Sequence, residues 1–84
     1  MDREQLKREL KVLLIEECQK ELTPEQIPDD AILIGGRNGL DFDSLDALQI
    51  SMAIHQRYGK RIQPGNEGRK VLTSVNSLAD FILA

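Results

Sequence analysis

The residues best placed to do chemistry lie at mid-chain in Asp41-Phe42-Asp43-Ser44-Leu45-Asp46, a serine hydroxyl set among carboxylates. One chemistry for such a serine is nucleophilic catalysis, with His55 as the base. His55 is the sole histidine, and it follows Ser44 by eleven residues on what reads as a single helix. That separation is about 16 Å along a helix axis, far beyond hydrogen-bond reach. His55 is therefore expected at the solvated surface, and the chain is not expected to be an enzyme. A second chemistry is calcium binding, since Asp41 and Asp43 alternate. A calcium loop next requires an oxygen ligand and then glycine, and the chain offers Leu45 and Asp46, so no metal site is expected. A third is a phosphate cradle at Gly35, Gly36 and Gly39. No Gly-Lys-Ser/Thr follows and no strand precedes it, so these glycines are expected to serve turns.

What remains is Ser44 as a site of covalent modification. Asp43 can cap a helix that starts here, with Asp46 reaching back three residues later as in a capping box. A serine at such a start points into solvent beside free backbone N–H groups, where a modifying enzyme can reach it. A phosphodiester on its oxygen would face the positive end of the helix dipole. Asp43 and Asp46 would repel that anion, but they could also hold a divalent cation during transfer.

The elements that position this serine read as helices. From Asp2 to about Glu21, Leu6, Leu10, Leu13, Leu14, Cys18 and Leu22 recur at steps of three and four and form one apolar stripe. Asp2 and Glu4 suit its positive end and Lys20 its negative end, and Thr23-Pro24 is expected to stop it. A connection of about twenty residues runs from Pro24 to Asp43, long for a small domain. In it Ala31 to Ile34, Leu40 and Phe42 are expected to fold back over the core. A second helix is predicted from Leu45 to about Tyr58, stopped by Gly59. Its rows Leu45, Leu48, Met52 and Ile50, Ile54, Tyr58 read as one wide apolar face. After a loop with Pro64, Gly65 and Gly68, a short helical turn is placed near Glu67 to Val71. Thr73 or Ser74 then caps a last helix whose Val75, Leu78, Ala79, Phe81 and Ile82 face inward.

Size and composition agree. The 84 residues suit one domain, 1–84, with room for a few aliphatic layers rather than a deep catalytic pocket. The fold class is all-α: a four-helix bundle of three longer helices and one short, with a long first loop. A net charge of -3 and few aromatic residues disfavour nucleic acid as the partner. The charge is uneven. Residues 25–46 carry six acids and one base, whereas 55–70 carry five bases and one acid. One half can attract a basic partner and the other a different surface. Cys18, the lone cysteine, excludes an internal disulfide and reads as a small core residue on the first helix. No apolar run approaches the ~20 residues of a membrane span, so no membrane insertion and a cytoplasmic location are expected.

These features together resemble the acyl carrier protein family, the phosphopantetheine-binding carrier domains of fatty-acid and polyketide type. The resemblance covers nearly the whole chain: the charged first helix, the long loop and the Asp43-Ser44-Leu45 motif. It continues through Leu48, Ile50, Met52, Ala53, Ile54 and Tyr58-Gly59, then Thr73-Ser74-Val75 and Asp80-Phe81-Ile82. It implies an acyl-carrier-like bundle and 4'-phosphopantetheine, supplied by coenzyme A and esterified to Ser44 by a phosphopantetheinyl transferase. The thiol of that arm would carry acyl intermediates of fatty-acid, polyketide or other lipid biosynthesis as thioesters. Asp43 belongs to the attachment motif. Leu45, Asp46, Gln49 and Met52 would meet partners, namely the transferase and the acyl-transferring and condensing enzymes, which a monomer visits in turn. Leu45, Met52 and Ile54 match positions that face partners or line the space receiving the chain.

Two departures stand out. Relatives of fatty-acid type usually have a short acidic-apolar-glycine run before the motif, and here the longer run from Leu33 to Phe42 fills that space. Where such relatives often carry glutamates along the second helix, this chain has Gln49, His55, Gln56 and Arg57. Both point toward a specialised lipid, polyene or polyketide pathway. The competing readings are an aminoacyl or peptidyl carrier, and an unmodified helical interaction adaptor in which Ser44 only caps a helix.

Overall fold

The computed structural model describes residues 2–34, 42–63 and 65–84. Among them the chain forms four α-helices: α1 (Arg3–Glu17), α2 (Ser44–Tyr58), α3 (Asn66–Val71) and α4 (Val75–Leu83). A 3-10 turn, Pro24–Gln26, interrupts the first loop. The only extended pairing among the described residues is a parallel bridge between Ile34 and Phe42. The all-α class, and the division into three longer helices and one short, are as the sequence predicts.

The core follows from the apolar spacing. Leu6, Leu10, Leu13 and Leu14 of α1 are fully buried, and α1 lies against both α2 and α4. α2 contributes Ile50, Ala53 and Ile54, and α4 contributes Val75, Leu78 and Ala79. Each large aliphatic side chain buried in this way stabilises the fold by about 1.5–3 kcal/mol. Phe81 and Ile82 pack only partly against the cluster. Local bonds set the helix starts. Asp2 accepts the Glu4 N–H at 3.1 Å. Ser74 accepts the Ser77 N–H at 3.2 Å while Ser77 Oγ accepts the Ser74 N–H at 2.9 Å. Gly59 ends α2 in the left-handed conformation, φ 70°, which glycine adopts without steric cost.

α1 stops four residues before the expected Glu21. Cys18 is its C-cap, Gln19 turns left-handed at φ 53°, and the Lys20 N–H donates to the Ile15 C=O at 3.0 Å. This is a Schellman closure made without glycine, so the stop precedes Thr23-Pro24. Lys20 consequently lies beyond the helix rather than in its last turn. Leu22 still reaches the core edge from outside the helix.

The first loop is fastened at several points. Ile27, Leu33 and Phe42 are buried, with Ala31 and Ile34 packed at the margin. Ile32 is corrected by the structure: it is 54% exposed, while its neighbour Leu33 is buried. Leu40 and the three loop glycines lie outside the described residues. The Leu33 N–H donates to the Thr73 C=O and the Asn76 N–H to the Asp29 C=O, both at 2.9 Å, so the loop is tied to the start of α4.

Asp29 also ties the loop to α1. Its carboxylate meets Lys11 Nζ at 2.7 Å and Lys7 Nζ at 3.1 Å. The Lys11 hydrogen bond, seconded by Lys7, holds the Asp29 carboxyl below its ordinary range against the opposing effect of burial. A carboxyl depressed in the folded state stabilises above its unfolded pKa and loses that contribution as pH falls through the folded value. Stability is expected to decline below about pH 4. Asp29→Asn should flatten that decline and cost about 0.5–1 kcal/mol at neutral pH. Urea midpoints measured from neutral to strongly acidic pH check this, and parallel curves for the two proteins would refute it.

Candidate functional site

Ser44 is the first residue of α2, and Asp43 is its N-cap. The Asp46 N–H donates to Asp43 Oδ1 at 2.9 Å, and the Asp43 N–H donates to Asp46 Oδ2 at 3.1 Å. The capping box read from the sequence is therefore formed, and it satisfies the helix start without Ser44. Ser44 itself is exposed, and its hydroxyl bonds no described residue. The first-turn N–H groups that the box leaves over, those of Ser44 and Leu45, present partial positive charge beside that hydroxyl. An adaptor in which Ser44 serves as the cap is thus not what the geometry shows, since Asp43 does the capping.

Asp43→Ala is expected to remove the cap and cost about 1 kcal/mol, lowering the melting temperature by about 4–8 °C for a domain of this size. Asp43→Asn should retain most of the stability. Thermal melts of the two variants check this, and an unchanged melt for the alanine variant would show the box to be dispensable.

Lys20 joins this site, which the sequence reading did not foresee. The left-handed turn at Gln19 carries Lys20 Nζ to 3.3 Å from Asp46 Oδ2 and 5.3 Å from the centre of the Phe42 ring. A cation over an aromatic face and beside a carboxylate is favoured twice. The cation offsets part of the acidic charge that a phosphodiester on Ser44 would meet. No sequence signal marks this pairing, because it depends on where α1 ends. Cys18 lies close by, with Sγ 3.9 Å from the Asp46 C=O. Burial, and then the Asp46 carboxylate, push its thiol up to about 12, so it stays protonated and inert at neutral pH.

α2 carries its two apolar rows to different places. Ile50 and Ile54 are fully buried and Tyr58 is partly covered, whereas Leu45 (70%), Leu48 (58%) and Met52 (61%) are exposed. The single wide apolar face predicted from the sequence is corrected: one row is core and the other is surface. The surface row follows Ser44 directly along the helix. Gln49 is exposed beside it, while Asp46 is half-buried by its bonds to Asp43 and Lys20. Ser51 turns back to donate to the Ala47 C=O at 3.0 Å. His55 is exposed and lies on α2 with Ser44, as expected.

Beyond that row, a groove of about 500 Å³ opens between α2 and α3. Leu48, Met52, Ile62 and Leu72 supply its apolar lining, and His55, Arg61 and Arg69 its basic rim. Gly68 makes this seam possible. A Cβ there would stand 2.2 Å from the Gln63 carbonyl oxygen, so only glycine lets α3 approach the 62–63 segment so closely.

Among the described residues no cluster of three or more histidine, cysteine or acidic side chains could hold a metal ion, and Asp41 lies outside them. No helix of the described residues is long and apolar enough to cross a membrane. No protein-family model matches the chain.

Proposed function

We propose that the chain is a carrier protein of the acyl carrier type, with 4'-phosphopantetheine esterified to Ser44 and acyl groups held as thioesters on that arm. The observation that carries this reading is Ser44 itself: an exposed hydroxyl with no hydrogen bond to any described residue, at the start of a fifteen-residue helix that Asp43 and Asp46 cap on its behalf. A serine at such a position contributes little to the fold and is open to an enzyme. The first-turn N–H groups favour the phosphodiester that attachment would leave there.

Attachment is a phosphoryl transfer. Ser44 Oγ attacks the phosphorus of coenzyme A nearest the pantetheine, the pyrophosphate bond breaks, the adenosine bisphosphate leaves and the serine proton passes to the transferase or solvent. Asp46 is engaged by Asp43 and Lys20. Asp43 Oδ1 and Asp46 Oδ2 are taken up by these bonds, and the second carboxylate oxygen of Asp43 would be open to a divalent ion brought in with the coenzyme phosphates.

The exposed Leu45, Leu48 and Met52, with Gln49 among them, form the surface on which the transferase, acyl-transferring and condensing enzymes would dock. Such a carrier works as a cytoplasmic monomer through brief contacts, and the tethered arm supplies the effective concentration. The neutral-to-basic end of α2 suits partners of a specialised lipid, polyene or polyketide pathway. The exposed apolar row equally suits an adaptor, so the test is covalent. Purified protein incubated with coenzyme A, magnesium and a broad-specificity phosphopantetheinyl transferase is expected to gain one phosphopantetheine unit by intact mass. No gain in folded, initially unmodified protein, beside a control carrier that is modified, would return the chain to the adaptor reading.

A further inference from the structure

We propose that the groove between α2 and α3 selects acyl cargo with an apolar stem and a carboxylate at its far end, paired with Arg61 and Arg69. This inference rests on the carrier reading of Ser44 and adds to it the chemical class of the cargo.

The charge around the groove is the first observation. No acidic side chain of the described residues lines it, while Arg61 and Arg69 do. Of the cations outside the groove, Arg3 pairs with Asp80, Arg8 with Glu25, Lys7 and Lys11 with Asp29, and Lys20 with Asp46, whereas Arg57 and Lys70, which do not line it, have no ion pair among the described residues. Neither Arg61 nor Arg69 forms an ion pair with any described residue. A concave surface lined by one sign of charge raises the local concentration of the opposite ion. The planar guanidinium fork matches a carboxylate with two parallel hydrogen bonds.

The lining between these cations is the second observation. Leu48, Met52, Ile62 and Leu72 offer aliphatic surface, and about 500 Å³ falls within the range of small-ligand sites. A bare carboxylate would leave that surface wet, and a plain alkyl chain would leave the guanidinium groups without a counter-ion. An aliphatic stem ending in a carboxylate answers both.

Reach is the third. Ala47 and Ser51 border the groove, and Ser51 lies about 10 Å along the helix from Ser44, with His55 at about 16 Å. An extended phosphopantetheine arm spans that distance, so a tethered acyl group can turn back into the groove. Gly68, closed against the Gln63 carbonyl, holds the part of α3 next to Arg69 against the segment that follows Arg61, and both arginines line the groove.

The test loads the full chain, through a transferase, with octanoyl or suberyl phosphopantetheine. Suberyl is the same eight-carbon chain ending in a carboxylate. Intact mass first establishes attachment, and thioester cleavage by hydroxylamine is then timed at low salt. The suberyl thioester is expected to be cleaved up to about fivefold more slowly than the octanoyl thioester, the upper end for an exposed ion pair. That difference should vanish in Arg61→Gln/Arg69→Gln and in about 1 M salt. The methyl resonances of Ile62 and Leu72 should shift more with suberyl than with octanoyl. Equal cleavage rates and equal shifts for the two cargoes on wild-type protein overturn the cargo inference while leaving the carrier reading intact. Failure to attach either arm overturns the carrier reading itself. The wild-type comparison decides the matter even if the double variant folds poorly.

Discussion

Ser44→Ala is expected to fold as the wild-type protein does and to gain no mass from coenzyme A under conditions that modify the wild type completely. The loss should be total rather than partial, because no other exposed serine or threonine stands at the start of α2 beside the capping box. Stability should change by less than about 0.5 kcal/mol, the ordinary range for a surface substitution, so the melting temperature should move by less than about 4 °C. The hydroxyl makes no hydrogen bond to a described residue, and Asp43 already caps the helix, so alanine removes nothing that holds the fold. Intact mass and a thermal melt on the same sample check both halves. A variant that still gains the arm would move the site elsewhere. One that melts far below the wild type would make Ser44 a structural residue.

Ile54→Ala and Met52→Ala are expected to differ by several kcal/mol although they lie two residues apart on one helix. Ile54 is fully buried, and Met52 is 61% exposed. Truncating a fully buried aliphatic side chain costs about 2–5 kcal/mol through lost transfer energy and the cavity left behind. Small domains have only about 5–15 kcal/mol in all, so Ile54→Ala should lower the melting temperature by at least about 10 °C. Met52→Ala should leave stability within about 0.5 kcal/mol. Under the carrier reading it should instead slow loading by the transferase or use by a condensing enzyme, since Met52 belongs to the row that follows Ser44. Urea midpoints beside initial loading rates separate the two effects. Similar destabilisation by both variants would mean that the Leu45–Leu48–Met52 row is covered rather than free.

Much of this fold is legible in the sequence where short-range bonds decide it. Asp43 with Asp46 is a reciprocal cap three residues apart, Ser74 is one of the two caps the sequence offers for the last helix, and Gly59 is a left-handed stop. Each depends on a few neighbouring residues, so the residue types alone mark them. The burial of Leu6, Leu10, Leu13 and Leu14 follows from their spacing on α1 in the same way. The candidate serine is legible too, because its place at a loop-to-helix junction is a local property. That Asp43 and not Ser44 caps the junction leaves the hydroxyl for chemistry, and the Asp43-x-x-Asp46 spacing already pointed that way.

Other features were decided only in three dimensions. α1 closes at Gln19 with no glycine to announce it, and that early stop puts Lys20 on Phe42 and Asp46 instead of in the last helical turn. Ile32 and Leu33 are equally apolar, yet Leu33 enters the core and Ile32 faces solvent. On α2 both apolar rows have the spacing of a core face, but the bundle covers only the arc bearing Ile50, Ala53 and Ile54. The groove beside the uncovered row depends on Gly68 meeting the Gln63 carbonyl, and Arg61 and Arg69 both line it. Caps and periodicity act within a turn or two of helix, and sequence alone determines them. Which apolar face is covered, and which charges are left unpaired, depends on residues distant in the chain, and only the packed tertiary structure settles that.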